Sequence, residues 1–388
     1  MLKLFRITTV PISLKTLLKG QHQFMSKYYD VTGVSSAGSE LEDVAKDEGI
    51  KVVGLEMTRV ISPFKDLCSL VNMVRLFKKE KPFIVHTHTP KAGIVGMFAA
   101  KIAGVPVRLH TVAGLPLMET MGVKRRVLNF VEKFTYSCAT AVYPNSNGLY
   151  DFIVKERFAS PNKLNVIANG SSNGINTSFF SSQHYSLNQK LELRKTLGID
   201  KNDFVFIFVG RLVGDKGINE LIEAYKKISN EINNTKLLLV GPVEHELDPL
   251  ITSTLMEIEN NPNIISVGYQ TDVRPYFLVS DVLVFPSYRE GFPNVVMQAG
   301  SMGLPSIVSD INGCNEIIIE GENGIIIPPK DKKGIYEGMI RLLSDRDLMN
   351  KLKSNSRKMI VERYEQKVVW DALLLEYKRL EKDVQKYN

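Results

Sequence analysis

Three charged side chains in two glycine-containing loops carry the chemistry written into this sequence. Glu290 stands in Pro286–Ala299, PSYREGFPNVVMQA, directly after the apolar run Val282–Phe285. Gly291 lets backbone approach a ligand closely. Pro293 suits a first helical turn, and Asn294–Met302 reads as the helix that follows. A strand, a tight loop and a helix start form an anion site, because free N–H groups and the helix dipole both favour a phosphate. The amides near Asn294 and Val295 are the donors expected there. A carboxylate just ahead of such a site repels the anion. Glu290 is therefore assigned to hydroxyls further along the ligand, and a sugar attached to a diphosphate fits that order.

The second loop is Val209-Gly210-Arg211-Leu212-Val213-Gly214-Asp215-Lys216-Gly217, after the strand-like run Phe204–Val209. It lacks the spacing of a Walker loop. It does place Arg211 and Lys216 in a turn at a strand end. Two cations there suit a diphosphate whose negative charge grows as a sugar–phosphate bond breaks. A solvated basic loop is the plainer alternative, and Glu290 downstream weighs against it. No Asp-x-Asp motif occupies a suitable strand-end loop, so the fixed cations are expected to stand in for a divalent metal, and no metal ligands are assigned.

The first half offers His86-Thr87-His88-Thr89-Pro90-Lys91-Ala92-Gly93 and His110-Thr111-Val112-Ala113-Gly114-Leu115-Pro116. His86 and His88 alternate along a strand and are read as pointing to opposite faces, which excludes a shared zinc ion. Gly93 and Gly96 permit close packing of the following helix, and His110 reads as structural. Leu117, Met118 and Met121 precede Lys124-Arg125-Arg126. Apolar residues beside a basic cluster suit an interfacial segment on anionic lipid; a core-facing helix with a solvated basic turn fits equally.

Elements alternate to position these loops. Strand-like runs are Leu4–Val10, Asp30–Ser35, Ile50–Leu55, Phe83–His88, Val107–Val112, Thr140–Pro144 and Leu164–Ala168. The second half adds Phe204–Val209, Leu237–Val240, Ile264–Val267, Val282–Phe285, Ser306–Val308 and Ile325–Ile327. Helical patterns such as Phe64–Lys79 and Lys124–Cys138 lie between them. Near-continuous Val/Ile/Leu runs separated by helices indicate parallel sheets covered on both faces. Residues 173–187 read as a linker, and Gln366–Tyr387 as a last charged amphipathic helix. The expected domains are residues 1–180, 188–364 and a terminal helix at 365–388. The distinctive residues all fall at strand ends, where ligands collect in doubly wound sheets.

The chain has 388 residues, long enough for two cores. With 44% apolar and 23% charged residues it has the composition of an ordinary globular protein. Cys68, Cys138 and Cys314 are widely spaced with no CxxC pattern, which fits free thiols in a reducing compartment. No uninterrupted apolar run follows Lys3 and Arg6, so no signal peptide is expected. The most apolar segment, Gly93–Val107, is broken by Lys101 and too short to span a bilayer. Residues 1–180 hold 23 Lys+Arg against 13 Asp+Glu, a net of +10, and the remainder nets −3, giving the overall +7. A basic half attracts nucleic acid or anionic lipid. No nucleic-acid motif accompanies it, so a membrane surface is the favoured partner.

EGFPNVVMQA resembles the E-x7-E region of retaining family-4 glycosyltransferases. That resemblance implies a GT-B fold, α/β, of two Rossmann-like doubly wound parallel-sheet domains facing across a cleft. It implies that Glu290 contacts the donor sugar and that Arg211 and Lys216 bind its phosphates. The second acid of the motif, which holds the ribose, is Gln298 here. An amide still bonds two hydroxyls, without charge assistance. The implied donor-binding set is Gly210, Arg211, Lys216, Glu290, Gly291, Phe292, Asn294, Val295 and Gln298, and His88 lies near the donor sugar. Ala113 stands where the family commonly has histidine. Thr9-Val10-Pro11-Ile12-Ser13-Leu14 replaces its usual glycine-rich turn, with Pro11 stiffening the loop. Asn169-Gly170-Ser171-Ser172-Asn173-Gly174 matches the interdomain segment and is a hinge candidate. The last helix is implied to cross back to the first domain.

The resemblance implies a retaining, metal-independent hexosyltransferase in surface polysaccharide synthesis. The donor is a nucleotide-sugar, preferably a UDP-hexose or UDP-N-acetylhexosamine, used as substrate with no further cofactor. The acceptor is a polyprenyl-diphosphate-linked saccharide, reached from the cytoplasmic face by a peripherally bound protein. Two other readings stay open. One is a catalytically weak nucleotide-sugar-binding subunit, motivated by Gln298 and the altered first loop. The other is a GT-B sugar-nucleotide epimerase, which makes product from donor alone.

Overall fold

The computed structural model describes residues 1–58, 62–115, 117, 120–246 and 248–386. The chain divides into two compact units: Met1–Gly174 joined by the chain from Gln366 onward, and Ile175–Glu365.

Unit 1 begins β1 (Lys3–Ile7), α1 (Pro11–Leu17), α2 (Gln21–Ser26), β2 (Asp30–Ser35), α3 (Ser39–Glu48) and β3 (Lys51–Gly54). It continues through α4 (Pro63–Glu80), β4 (Ile84–Thr87), α5 (Pro90–Ile102), β5 (Val107–Val112), α6 (Gly122–Cys138), β6 (Ala141–Pro144) and α7 (Asn147–Lys155). Unit 2 holds α8 (Leu187–Thr196), β7 (Phe204–Val209), α9 (Ile218–Glu231), β8 (Thr235–Val240), α10 (Thr252–Asn260), β9 (Ile264–Ser266) and α11 (Arg274–Val279). After these come β10 (Val282–Phe285), α12 (Asn294–Ser301), β11 (Ser306–Ser309), α13 (Cys314–Ile317), β12 (Gly324–Ile327), α14 (Lys332–Ser344) and α15 (Arg346–Tyr364). The last helix, α16 (Gln366–Lys386), belongs to unit 1.

Each unit is a parallel six-stranded sheet, in the orders β3-β2-β1-β4-β5-β6 and β12-β11-β10-β7-β8-β9. The central strands are buried on both faces; β7, FVFIFV, has no polar residue because helices cover it above and below. In both sheets the direction of strand addition reverses beside the first strand. The switch points lie between β1 and β4 and between β7 and β10, and a crevice opens at such a place. This is the GT-B architecture.

The structure departs from the sequence reading at several places. Leu164–Ala168 forms no strand; Leu164 makes one isolated bridge to Val142. The first strand stops at Ile7, and Pro11 opens α1 instead of stiffening a loop, its missing N–H costing nothing at a helix start. The unit boundary falls between Gly174 and Ile175 rather than at 180. Residues beyond it pack on unit 2, where Phe180 lies against the core and its carbonyl accepts from Ser301 Oγ and Arg357. The hinge candidate is fastened to unit 1. Asn173 Oδ1 accepts from Trp370 Nε1 at 2.7 Å and Gln21 Nε2 at 3.1 Å, and its amide donates to the Lys19 carbonyl at 3.0 Å.

Helix α16 docks by polar as well as apolar contacts. Val369 and Leu373 are buried in it, and beside them Glu376, Tyr377 and Glu381 turn inward. Tyr377 Oη meets His86 Nδ1 at 2.6 Å, Tyr143 Oη donates to Glu376 at 3.0 Å, and Tyr29 Oη donates to Glu381. Arg379 and Lys378 neutralise the two acids from outside. Such satisfied buried bonds contribute little each, but leaving one partner unmade costs about 1–3 kcal/mol. Tyr377→Phe strands His86 Nδ1 and is expected to destabilise unit 1 by about that amount. A urea titration following unit 1 checks it; an unchanged midpoint contradicts this account of the docking.

Candidate functional site

In unit 2 the switch point brings the two sequence loops together. Gly210 and Arg211 leave β7 in a bend, with Gly210 at φ +153°. Gly241, at φ +150°, lies so close that an added Cβ sits 1.8 Å from the Gly210 carbonyl oxygen. A short 3-10 turn, Gly214–Lys216, ends at Gly217 with φ +71°, where a Cβ meets the Pro286 carbonyl oxygen at 2.2 Å. The turn after β7 therefore presses on the turn after β10. Tyr288 N donates to the Asp215 carbonyl at 2.9 Å and closes the seam.

That seam sets Lys216 against Glu290. Their charged atoms are in direct contact, the side chains only 17% and 18% exposed. Glu290 also accepts from Ser287 Oγ at 3.1 Å. Asn312 Nδ2 holds the chain behind it, donating to the Gly291 carbonyl at 2.6 Å and the Glu290 carbonyl at 3.3 Å. Arg211 is half exposed and pairs with Glu244 at 2.5 Å. Arg289, the next residue along from Tyr288, pairs with Asp215 at 2.8 Å. The sequence reading did not single out Glu244, Asp215 or Asn312. Only Asp215 had a signal, its place inside the glycine-rich turn.

The remaining donor-set residues separate into two groups. Asn294 is exposed at the start of α12, and Gln298 is partly exposed one helical turn further. Phe292 and Val295 pack against the unit 2 core, Phe292 with its ring centroid 5.4 Å from Tyr364. Phe292 thus braces the loop. Cys314, fully buried, has its thiol pushed well up by burial and then by the Glu290 charge.

In unit 1 the histidine geometry overturns the expectation of opposite faces. Positions i and i+2 of a strand share a face, and the His86 and His88 rings lie 4.1 Å apart. Thr87 points the other way, to His110 Nδ1 at 2.8 Å. The argument from geometry against a shared metal ion therefore fails. Three of their four ring nitrogens are otherwise occupied: both of His86, by Tyr377 and, at 2.8 Å, Thr111 Oγ1, and His88 Nε2 by Arg6 Nε at 3.0 Å. Among the described residues no group of three or more His, Cys, Asp or Glu is arranged to hold a metal. Gly93 and Gly96 bring α5 onto this sheet, since a Cβ there meets His110 at 2.5 Å and Thr87 at 2.7 Å.

The basic cluster also resolves differently. Leu117 is buried and Met118 lies outside the described residues, as does Pro116. Arg125 is structural, bonded to Asn129, the Leu117 carbonyl and Glu156. Lys124 and Arg126 are exposed, and beside them Met121, Val123, Val127 and Phe130 project into solvent. Phe64, Leu67 and Val71 of α4 form a second exposed apolar face that the sequence reading missed. Its i, i+3, i+7 spacing is also that of a core-facing stripe. Both α4 and α6 pack on α5, so the two faces share a layer. No helix among the described residues is long and apolar enough to cross a membrane.

Fold and sequence together define a glycosyltransferase of the GT-B class. Residues 23–170 match the family described as glycosyl transferase 4-like domain, and residues 189–359 that described as glycosyl transferases group 1. A capsular polysaccharide biosynthesis glycosyltransferase, CapM of Staphylococcus aureus, is 37% identical over 96% of this chain and 95% of its own. The UDP-Gal:alpha-D-GlcNAc-diphosphoundecaprenol alpha-1,3-galactosyltransferase of Escherichia coli is 32% identical over 87% of this chain and 85% of its own. Anabaena HepE in complex with UDP-glucose shares the fold with TM-score 0.77 at 16% identity, covering 98% of this chain and 100% of that one. The chain belongs to the group 1 glycosyl transferase family.

Four buried histidines concentrate acid sensitivity in unit 1. Burial holds His110 down at about 4 and His22 at about 3, and pushes His86 and His88 well below the ordinary range. Arg6 adds to the effect on His22, His86 and His88. The unfolded chain takes up these protons below about pH 6.5 while the folded unit does not, so stability is full above that pH and falls below it. Each histidine kept neutral costs about 1.4 kcal/mol per pH unit in that window. The urea midpoint of unit 1 should drop between pH 7 and pH 5, and an equal midpoint at both refutes this reading.

Proposed function

We propose that the chain is a retaining glycosyltransferase that moves a hexose or N-acetylhexosamine from a UDP-sugar to a polyprenyl-diphosphate-linked saccharide in surface polysaccharide synthesis. The observation that carries this reading is the contact of Lys216 with Glu290 at the β7/β10 switch point. A glycosyl diphosphate has its anionic oxygens and its ring hydroxyls one sugar width apart. A neighbouring cation and carboxylate, parted by the ligand, meet both kinds of group, and neither alone does. The names of the Staphylococcus and Escherichia relatives supply capsule synthesis, a UDP-sugar and a diphosphate-lipid acceptor.

In this reading the donor diphosphate displaces the internal partners of Arg211 and Lys216. Glu290 turns its oxygens to the sugar hydroxyls, with Ser287 and Asn312 keeping the loop in place. As the anomeric carbon–oxygen bond breaks, charge grows on the departing β-phosphate, and the two cations stabilise it where a metal ion otherwise would. The acceptor hydroxyl attacks from the same face, its proton passing to the departing phosphate oxygen. Configuration is retained without a protein nucleophile. Gln298 meets the ribose, and His88 meets the donor sugar.

The test is transfer of radiolabelled sugar from a panel of nucleotide-sugars to polyprenyl-diphosphate saccharides, with chelator present. Label in the lipid phase with retained anomeric configuration supports the reading. Product formed without acceptor identifies an epimerase, and a strict need for magnesium or manganese overturns the metal-free mechanism. Glu290→Gln should lower turnover about 100-fold, the scale for losing one charge-matched contact in a transition state. UDP affinity by calorimetry should change little. A collapse of UDP binding with intact turnover removes Glu290 from the sugar.

Peripheral membrane docking completes the proposal. Phe64, Leu67 and Val71 of α4 and Met121, Val123, Val127 and Phe130 of α6 offer apolar contact beside Lys65, Lys124 and Arg126. Each basic residue near an anionic surface contributes about 1 kcal/mol, and salt weakens it. The protein should co-sediment with anionic vesicles at low salt and not with neutral ones. Lys124→Gln with Arg126→Gln, or Phe64→Ser with Phe130→Ser, should reduce the bound fraction. If both double variants bind like the parent, these faces do not touch lipid.

A further inference from the structure

The two histidines at the end of β4 differ in what holds their ring nitrogens. His86 is engaged at both, by Tyr377 and Thr111. His88 is engaged at one. Arg6, fully buried in β1, donates from Nε to His88 Nε2 at 3.0 Å, while His88 Nδ1 is buried with no partner among the described residues. That bond has one direction only, because a guanidinium has five N–H donors and no acceptor and does not give up its proton in proteins. Nε2 must therefore present its lone pair. Burial, with the Arg6 charge beside it, keeps the ring neutral, which leaves its one proton on Nδ1.

Arg6 is itself fixed. Another of its nitrogens donates to Gln21 Oε1, and Gln21 Nε2 donates in turn to Asn173 Oδ1 at 3.1 Å and the Ser172 carbonyl at 3.2 Å. No carboxylate pairs with Arg6 among the described residues, so its role there is not to close an ion pair. His88 borders a small cavity of about 20 Å³ together with Asn145 and Ser172. Asn145 Oδ1 and Ser172 Oγ are also buried without partners among the described residues. One oxygen atom, of a water or of a ligand hydroxyl, fits such a space.

We propose that Arg6 is the positioning residue of His88, holding the ring as the Nδ1–H tautomer so that His88 acts as a neutral hydrogen-bond donor and never as a proton acceptor. The consequence for transfer rests on the proposed function, in which His88 meets the donor sugar: there it donates to an oxygen and leaves proton acceptance to the departing phosphate. The structural part concerns unit 1 alone.

Long-range nitrogen–proton NMR of the full chain with ¹⁵N-labelled histidine reads the tautomer directly, with His88→Gln to assign the signal. The wild type should show a protonated Nδ1 and an unprotonated Nε2 for His88 at pH 7, unchanged down to pH 5.5. Arg6→Met keeps the length and removes the donor. The ring should then shift toward the Nε2–H form, and kcat should fall on the order of tenfold, the loss of one hydrogen bond in the transition state, with KM for the donor within about twofold. Arg6→Gln, which still offers an N–H, should restore the tautomer and part of kcat. A wild-type His88 that is Nε2-protonated or cationic at pH 7 overturns the proposal without any variant. So does a tautomer that ignores Arg6→Met, or a turnover that ignores a changed tautomer. The spectrum needs neither donor nor acceptor, so an inactive transferase assay and a wrong tautomer are separate results.

Discussion

The contact between Lys216 and Glu290 depends on β7 and β10 being neighbours in space while 74 residues separate the two side chains. Parallel strands become neighbours only through helical crossovers, and the chain spends α9, β8, α10, β9 and α11 returning from one to the other. What then decides the geometry is steric. Gly217 and Gly241 permit two carbonyl oxygens to come where any side chain would stand, and the loops close on each other as a result. The charges make use of that closeness and do not create it. A partly buried ion pair is weak as cement; glycine backbone under tight contact is the part that resists change.

Unit 1 uses the same topology with different means. Its switch point, between β1 and β4, holds Arg6, His86 and His88 in a buried polar cluster. Helix α16 caps one side of that cluster through Tyr377, and Trp370 ties the helix to Asn173. Polar groups so far from water demand complete pairing, and here most of it comes from residues distant in sequence. Three of the atoms left without a partner among the described residues, His88 Nδ1, Asn145 Oδ1 and Ser172 Oγ, belong to residues that border one small cavity. A histidine with one nitrogen bound and one free is chemically different from one bound at both, although they stand two residues apart on one strand.

The fold was legible because twelve apolar runs alternate with helical periodicity, and the burial of parallel strands on both faces leaves little ambiguity. Leu164–Ala168 failed because one more apolar run at the sheet edge had no strand left to pair with beyond a single bridge. The meeting of the Lys216 and Glu290 loops was legible through glycine and charge at strand ends. Their partners were not: Glu244 and Asn312 sit in loops with no local pattern, and only topology brings them near Arg211 and the Glu290 backbone. Phe292, placed in the donor set by the resemblance, packs its ring against Tyr364. Arg6 was hidden for the opposite reason, since a charged residue inside a strand of apolar neighbours usually marks an exposed edge, whereas β1 is central. The pairing of His86 with His88 was misjudged by a parity error in the strand period. The exposed stripe of α4 has the spacing of a core face, and a sequence does not say which side of a helix is covered.

Helix α16 has a consequence for how the protein is made. Unit 2 is one continuous stretch of chain, residues 175–365, whereas unit 1 takes its last helix from beyond that stretch. On a ribosome the sheet β1–β6 emerges first yet waits for its cover while all of unit 2 is synthesised, roughly 10–40 s at ordinary elongation rates. During that interval His86, Tyr143 and Tyr29 face water in place of Tyr377, Glu376 and Glu381. The half that is translated first is thus the half completed last, and the nascent chain carries an open, partly apolar sheet face that chaperones are suited to shield.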